Sequence, residues 1–337
     1  MKSSNRNNLA KAAVLFSLSV ILVALAGVVL LNRQYVQDTV LSLVYKPTAD
    51  IESIEDRMGI TSRGERIFRA SSPSVESANV FNKSCPRREV SSPVVGCYTS
   101  SSQIFIYNVT NDKLDGIKDV TAAHELLHAV WARMSGSERR LIGIKLREAY
   151  SKLSKDELKS RMDYYSRTQK GQEVNELHSI LGTEFSDLDE ELEAHYNKYF
   201  DRSKVLGWYK SYQSEYDSLR SDIESLQANL TELSDSVSSR IETYNANMKQ
   251  LDADISNFND RAKGEYYSSQ VQFDNDRAKL IRRGESLNNE RSAINNDITN
   301  YNEMYEKYKN VAQDIQALND SIDSLKVIDS AAPVENL

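Results

Sequence analysis

Apolar positions change their spacing several times along this chain, and each change marks a different element. Residues 12 to 31, AAVLFSLSVILVALAGVVLL, carry no charge at all. At 1.5 Å per residue the run spans roughly 30 Å, the thickness of a bilayer's hydrocarbon core, and it predicts a transmembrane helix. Residues 32 to 60 read as a helical juxtamembrane stretch. ERIFRAS then reads as a short strand, and the Ser-, Pro- and Asn-rich residues after it as loop. VVGCY and QIFIYNV are β-branched and aromatic runs separated by TSSS, which predicts a β-hairpin. The turn cluster TNDKLDG closes the second run, and from there the pattern is helical.

Leu141, Ile144, Leu146 and Tyr150 form one helical stripe with Ser137 as its N-cap. Ser154 and Glu157 have capping-box spacing ahead of the next helix. Val174, Leu177 and Leu181 form a further stripe, ended by Gly182. Ser186 or Asp187 caps the helix that follows. The last third differs in kind. From Tyr212, Tyr216, Leu219 and Ile223 through Leu251, Ile255 and Phe258, apolar residues alternate at spacings of four and three, a sustained heptad seam. The seam loosens at RAKGEYYSSQ and resumes from Leu287 to Leu325. Two arms with a break between them predict an antiparallel helical hairpin; the rival is a parallel coiled coil between two chains. The predicted organisation is a basic tail (1–11), an anchor (12–31), a juxtamembrane stretch (32–60), a small α+β domain (61–204), a coiled-coil hairpin (205–328) and a disordered tail (329–337). The fold class is mainly α.

Composition adds the compartment. Lys2, Arg6 and Lys11 precede the uncharged run and no acid does, which places the N-terminus in the cytoplasm and the bulk of the chain outside. Ala24-Leu25-Ala26 also fits a signal cleavage site, and either reading exports the remainder. Cys85 and Cys97, the two cysteines present, then pair as a disulfide. Gly and Pro are scarce, at 12 and 5, as long helices require. A net charge of −7 gives no sign of a nucleic-acid partner.

The candidate chemistry lies in VTAAHELLHAVW, residues 120 to 131. On a helix, positions i and i+4 share one face, so His124 and His128 point two imidazoles at one metal. Glu125 sits beside the first histidine, where its carboxylate reaches a metal-activated water. The surrounding Ala122, Ala123, Leu126, Leu127, Ala129 and Val130 make a helix apolar nearly all round, and such a helix is buried. Burying two histidines and a glutamate there is costly unless something satisfies them, and a metal does. The remaining histidines, His178 and His195, fall in the next helical segments, and the heptad third has none.

TAAHELLHAVW after an apparent strand resembles the active-site helix of the gluzincin metallopeptidases, an H-E-x-x-H arrangement. The resemblance covers roughly residues 94 to 200. It implies a zincin-like domain, a Zn2+ cofactor and a third ligand from a later helix. VNELHSIL resembles the family's Asn-Glu segment, which makes Glu176 that ligand; Glu173, Glu184 and His178 are the alternatives. The aspartate that often follows four residues after the family's glutamate is here Ile180. His178, then His195 and Tyr196, are the candidate donors to the oxyanion. The resemblance also implies that the strand QIFIYNV offers its edge to an extended peptide. The expected function is a membrane-anchored zinc metallopeptidase acting on a peptide or protein substrate outside the cytoplasm. Zinc is held by His124, His128 and Glu176, Glu125 is the general base, and the coiled coil pairs with itself, a second copy or a partner. The alternative is a non-catalytic anchored spacer with a structural or vestigial zinc site.

Overall fold

The computed structural model describes residues 16–19, 26–27, 29–86, 93–153, 156–168 and 170–326. The anchor expected at 12 to 31 falls largely outside these residues, as do Ser154, the basic tail and the tail at 329 to 337. Among the described residues no helix is long and apolar enough to cross a membrane.

The chain divides into two compact units, residues 1–215 with 318–337, and residues 216–317. In the first unit, α1 (Arg33–Val44) and α2 (Ala49–Arg57) are followed by α3 (Ser62–Ala70). The expected strand ERIFRAS is therefore helical. Thr61 accepts a hydrogen bond from the Gly64 amide at 3.1 Å and caps the helix. Its buried residues Gly64, Ile67 and Phe68 sit at helical spacing. Gly64 lets α3 lie against the backbone, since a Cβ there would come within 1.9 Å of the Tyr199 carbonyl oxygen.

Strand β1 (Ser74–Glu76) and α4 (Ala78–Ser84) occupy the stretch that reads as loop in sequence, and β2 (Gly96–Tyr98) and β3 (Ile104–Tyr107) form the expected hairpin. The strand order is β1-β3-β2. β3 pairs antiparallel with β2, Cys97 opposite Phe105, and parallel with β1, Val75 opposite Ile106. β3 is thus the middle strand, paired on both sides, and β1 and β2 are the edges. Sequence pattern missed β1 because three half-buried residues carry too little alternation to register. Cys85 and Cys97 are joined in a disulfide that ties the end of α4 to β2.

Helix α5 (Ile117–Arg133) runs through the core. It starts after Gly116, whose φ of +95° favours glycine. Ala122, Ala123, Leu126, Leu127 and Ala129 are fully buried. At its last turn Arg133 donates to the buried Asp38 carboxylate of α1 at 2.9 to 3.0 Å, which fastens α1 to this central helix. Next come α6 (Gly136–Lys152), α7 (Asp156–Thr168), α8 (Glu173–Glu184) and α9 (Glu190–Tyr196). Ser135, not Ser137, caps α6 in a full capping box with Glu138, and Asp189 caps α9. Gly182 does not end α8 but lies inside it.

Two long helices follow, α10 (Arg202–Lys263) and α11 (Gln270–Ile322). In the second unit they pair antiparallel within one chain. Arg240 meets Glu290 at 2.8 Å and also Asp297, Asp254 meets Arg283, and Arg261 meets Asp276 at 3.2 Å. In the first unit, Ser324, just past the end of α11, donates to Asn82 of α4 at 2.6 Å, and Leu318 is buried.

Candidate metal centre

Helix α5 turns His124 and His128 to one side, their rings edge to face with centroids 4.9 Å apart. Helix α8 packs along the same face. The approach depends on Gly182: a Cβ there would meet Leu127 at 2.4 Å and Tyr196 at 2.7 Å. Glu176 of α8 consequently reaches the histidines, with Oε2 at 3.8 Å from His124 Nε2 and 3.6 Å from His128 Nε2. One ligand atom from each of His124, His128 and Glu176 lies within 4.8 Å of the others, close enough to hold a metal ion. Glu176 and His128 are buried and His124 is nearly so. Burial pushes the Glu176 carboxyl up, but the close approach of His124, the field of His128 and that of Arg161 outweigh it and hold it below the usual range.

Asn175 Oδ1 lies 3.1 Å from His128 Nδ1. An amide oxygen only accepts, so the Nδ1 proton points at Asn175 and the Nε2 lone pair is left for the group. The orienting partner sought at Ile180 is thus supplied by the residue before the glutamate. The sequence signal was present, as Asn175 sits inside VNELHSIL, but its partner depends on how α5 and α8 pack.

Glu125 is 5% exposed. Burial raises its carboxyl above the usual range, opposed by the neighbouring histidines and a backbone hydrogen bond at Tyr98 of β2. The edge strand presses directly on it. A Cβ on Gly96 would stand 2.4 Å from Thr121 Cγ2 and 2.9 Å from Glu125 Oε1. Gly96→Ala is therefore expected to shift Glu125 and cost about 1–3 kcal/mol of stability through overpacking. Circular dichroism and chemical unfolding of the variant check this, and an unchanged midpoint would contradict it.

The other predicted site residues lie elsewhere. Glu173 is in the first turn of α8, partly exposed and outside the group. Glu184 is held by Arg161 of α7, with Nη2 to Oε1 at 2.9 Å. His178 does not face the metal group: it is fully buried, its Nε2 is 2.8 Å from His195 Nε2, and its ring packs on Trp131. Two residues along a helix turn about 200°, so Glu176 and His178 point to opposite sides of α8. Tyr196, the third donor candidate, is also fully buried, and its hydroxyl donates to the His178 carbonyl at 2.8 Å. The role assigned to His178 is corrected accordingly.

The His178–His195 pair has a measurable consequence. One Nε2 must donate and the other accept, so the contact holds only while the pair is not doubly protonated. Burial, with Lys198 and Arg63 nearby, lowers the His195 pKa from 6.5 to about 4. Between those values the unfolded chain binds the extra proton and the folded chain does not. Stability therefore falls as pH drops from about 6.5 to about 4, by about 3 kcal/mol for this group. Unfolding midpoints across that range are expected to show the decline in wild type and a flatter slope in His195→Phe.

A cleft of about 320 Å³ opens beside the group, and His124, Glu125, Arg161, Tyr165 and Glu184 all line it. Tyr165 and Arg161, four apart on α7, face it together. Burial, and then the negative field of Glu176, push the Tyr165 hydroxyl well above its ordinary range, so it remains a proton donor at neutral pH. Sequence reading passed over both residues, because Tyr is common here and α7 carries no motif.

No known family model, no curated protein and no solved structure matches this chain.

Proposed function

We propose that the chain is a zinc-dependent metallopeptidase of the gluzincin type, membrane-anchored through residues 12 to 31 and active outside the cytoplasm. The observation that carries the reading is the convergence of Glu176, from a separate helix, on the two histidines that flank Glu125 and its neighbours. Two imidazoles and one carboxylate are a donor set suited to zinc, and three protein ligands leave a position open, as catalysis needs and a structural site does not. A second acid, Glu125, stands next to the group without belonging to it. The Cys85–Cys97 disulfide and the basic residues before the uncharged run support the extracytoplasmic placement.

When bound, zinc supplies Lewis acidity that polarises the scissile carbonyl and acidifies water. Glu125 accepts a proton from the attacking water as its oxygen bonds to the carbonyl carbon. The same carboxyl returns the proton to the amide nitrogen as the C–N bond breaks. His128, fixed by Asn175, and His124 hold their lone pairs towards the ligand position. Tyr165 takes the role for which His178 was expected and donates to the oxyanion. Tyr165→Phe is then expected to lower kcat by roughly 10²–10³-fold with a much smaller change in KM. Steady-state kinetics on a peptide substrate reads this, and an unchanged kcat would remove Tyr165 from the mechanism.

Elemental analysis of purified protein tests the reading as a whole. About one zinc per chain in wild type, lost in both His128→Ala and Glu176→Ala, is the expected result. Wild type that takes up no zinc after reconstitution would overturn it and leave an anchored coiled-coil spacer.

A further inference from the structure

Helix α1 fastens one side to the first unit and leaves the other apolar and open. On the inner side the Asp38 carboxylate meets Arg133, at the end of α5, at 2.9 Å, and the Arg66 guanidinium of α3 lies 4.3 Å from the centre of the Tyr35 ring. On the outer side Val40 is 54%, Leu43 81% and Val44 72% exposed, with Leu41 beside them at 42%. Large apolar side chains so close together make a contiguous patch, unlike the single exposed ones common on protein surfaces. Asp38 is the only acid in α1 and it is buried, so the outer side carries no negative charge on a chain whose net charge is −7. Arg33 and Lys46, both exposed, stand at the two ends of the helix.

The uncharged run ends at Leu31, and α1 starts two residues later. The headgroup layer on either side of a hydrocarbon core is about 5–8 Å thick. A helix running straight out of the bilayer at 1.5 Å per residue would carry Val40 about 14 Å and Val44 about 20 Å past Leu31, into water. The helix is interrupted at Asn32, where φ is −109° and ψ 24°. A turn at that residue lays α1 along the headgroups with its apolar side down. The breadth of the patch also suits a plane better than a second helix. At 100° per residue, Leu43, Val40, Val44 and Leu41 cover about 160° of the helix surface. A seam between two helices uses a narrower a/d stripe, whereas a helix lying in a membrane surface buries a broad apolar arc.

We infer that the outer face of α1, formed by Val40, Leu41, Leu43 and Val44, beds into the headgroup region of the bilayer beside the anchor. The inference rests on the reading of residues 12 to 31 as an anchor and not on the peptidase chemistry. It gives the Asp38–Arg133 pair a second role. His128 lies five residues before Arg133, about 8 Å along the α5 axis. The helix that carries the metal ligands is thereby fastened to the lipid surface and does not swing on a tether.

The test uses the full-length chain in mixed phosphatidylcholine–phosphatidylglycerol vesicles. Cys85 and Cys97 are joined, so a nitroxide is attached to one introduced cysteine at a time. The variants are Val40→Cys and Leu43→Cys, with Leu22→Cys in the uncharged run and Ser137→Cys on the exposed start of α6 as references. Collisions with molecular oxygen report lipid, and collisions with a water-soluble nickel chelate report water. Labels at positions 40 and 43 are expected to lose nickel collisions and keep those with oxygen, at a depth of about 5–10 Å. Position 22 is expected in lipid and position 137 in water. Val44→Cys replaces either variant whose unfolding temperature falls. Nickel collisions at 40 and 43 as frequent as at 137, with 22 still in lipid, overturn the inference and leave the anchor. Protection from both agents, with broadening between labels on two chains, overturns it in favour of a second copy. Nickel access at 22 overturns the anchor reading, and the inference with it. None of these readouts uses hydrolysis, so each is independent of the zinc and peptidase tests.

Discussion

Glu125→Gln is expected to lower peptide hydrolysis by roughly 10²–10⁴-fold while zinc stays at its wild-type level. The amide keeps the size of the carboxylate and loses its ability to accept a proton. Glu125 is outside the trio whose atoms lie within 4.8 Å of one another, so metal retention does not depend on it. Glu176→Gln provides the contrast, since a neutral amide is a poor metal ligand and both zinc and activity should fall together. Zinc analysis beside kinetics separates the two roles. If Glu125→Gln lost its zinc, Glu125 would be a ligand and not the base. If it kept full activity, the proton would be moving through another group.

Arg202→Met is expected to destabilise the first unit by about 3–5 kcal/mol, the cost of breaking a buried ion pair by removing one partner. Arg202 is 2% exposed. Its guanidinium donates to the carbonyls of Leu181 at 3.1 Å and Gly182 at 3.2 Å, and also reaches the Phe185 carbonyl and the Glu193 carboxylate. Those carbonyls belong to the last turn of α8 and the residue after it, where a helix has no backbone donors left. A cation there also complements the helix dipole. Methionine fills the space and leaves the carbonyls unpaired in a dry site, while Glu193, whose side chain is 31% exposed, turns to water. Lysine, with one point charge in place of a planar fork, is expected to restore only part of the loss. Because α8 carries Glu176, weaker zinc binding should accompany the lower stability. Urea unfolding at pH 7 reads the first effect and metal titration the second; a change under about 1 kcal/mol would contradict this account.

Local spacing carried much of the architecture. The i, i+4 histidines with Glu125 between them, the two heptad arms and the β2–β3 hairpin were all legible, because each is a periodicity of neighbouring residues and needs no distant contact to be expressed. The pair of cysteines was readable for a simpler reason, that no third thiol competes. ERIFRAS was not legible. Its short apolar run suits strand and helix alike, and the decision falls to the Thr61 cap and the close approach of Gly64 to Tyr199. β1 was hidden because its parallel partner lies some thirty residues downstream, and three residues hold too little pattern to announce a strand.

At the site the same division holds. Sequence by itself determined which helix carries the histidines, that it is buried, and, through the resemblance of VNELHSIL, which glutamate to test. Tertiary structure alone decided that Glu176 reaches the histidines while Glu173 and Glu184 do not, that Asn175 orients His128, and that His178 turns to His195 on the far side of α8. It also placed Tyr165 at the cleft. Spacing along one helix follows from its 100° turn per residue, whereas which faces of two helices meet depends on side-chain volumes across the contact, down to the missing Cβ of Gly182.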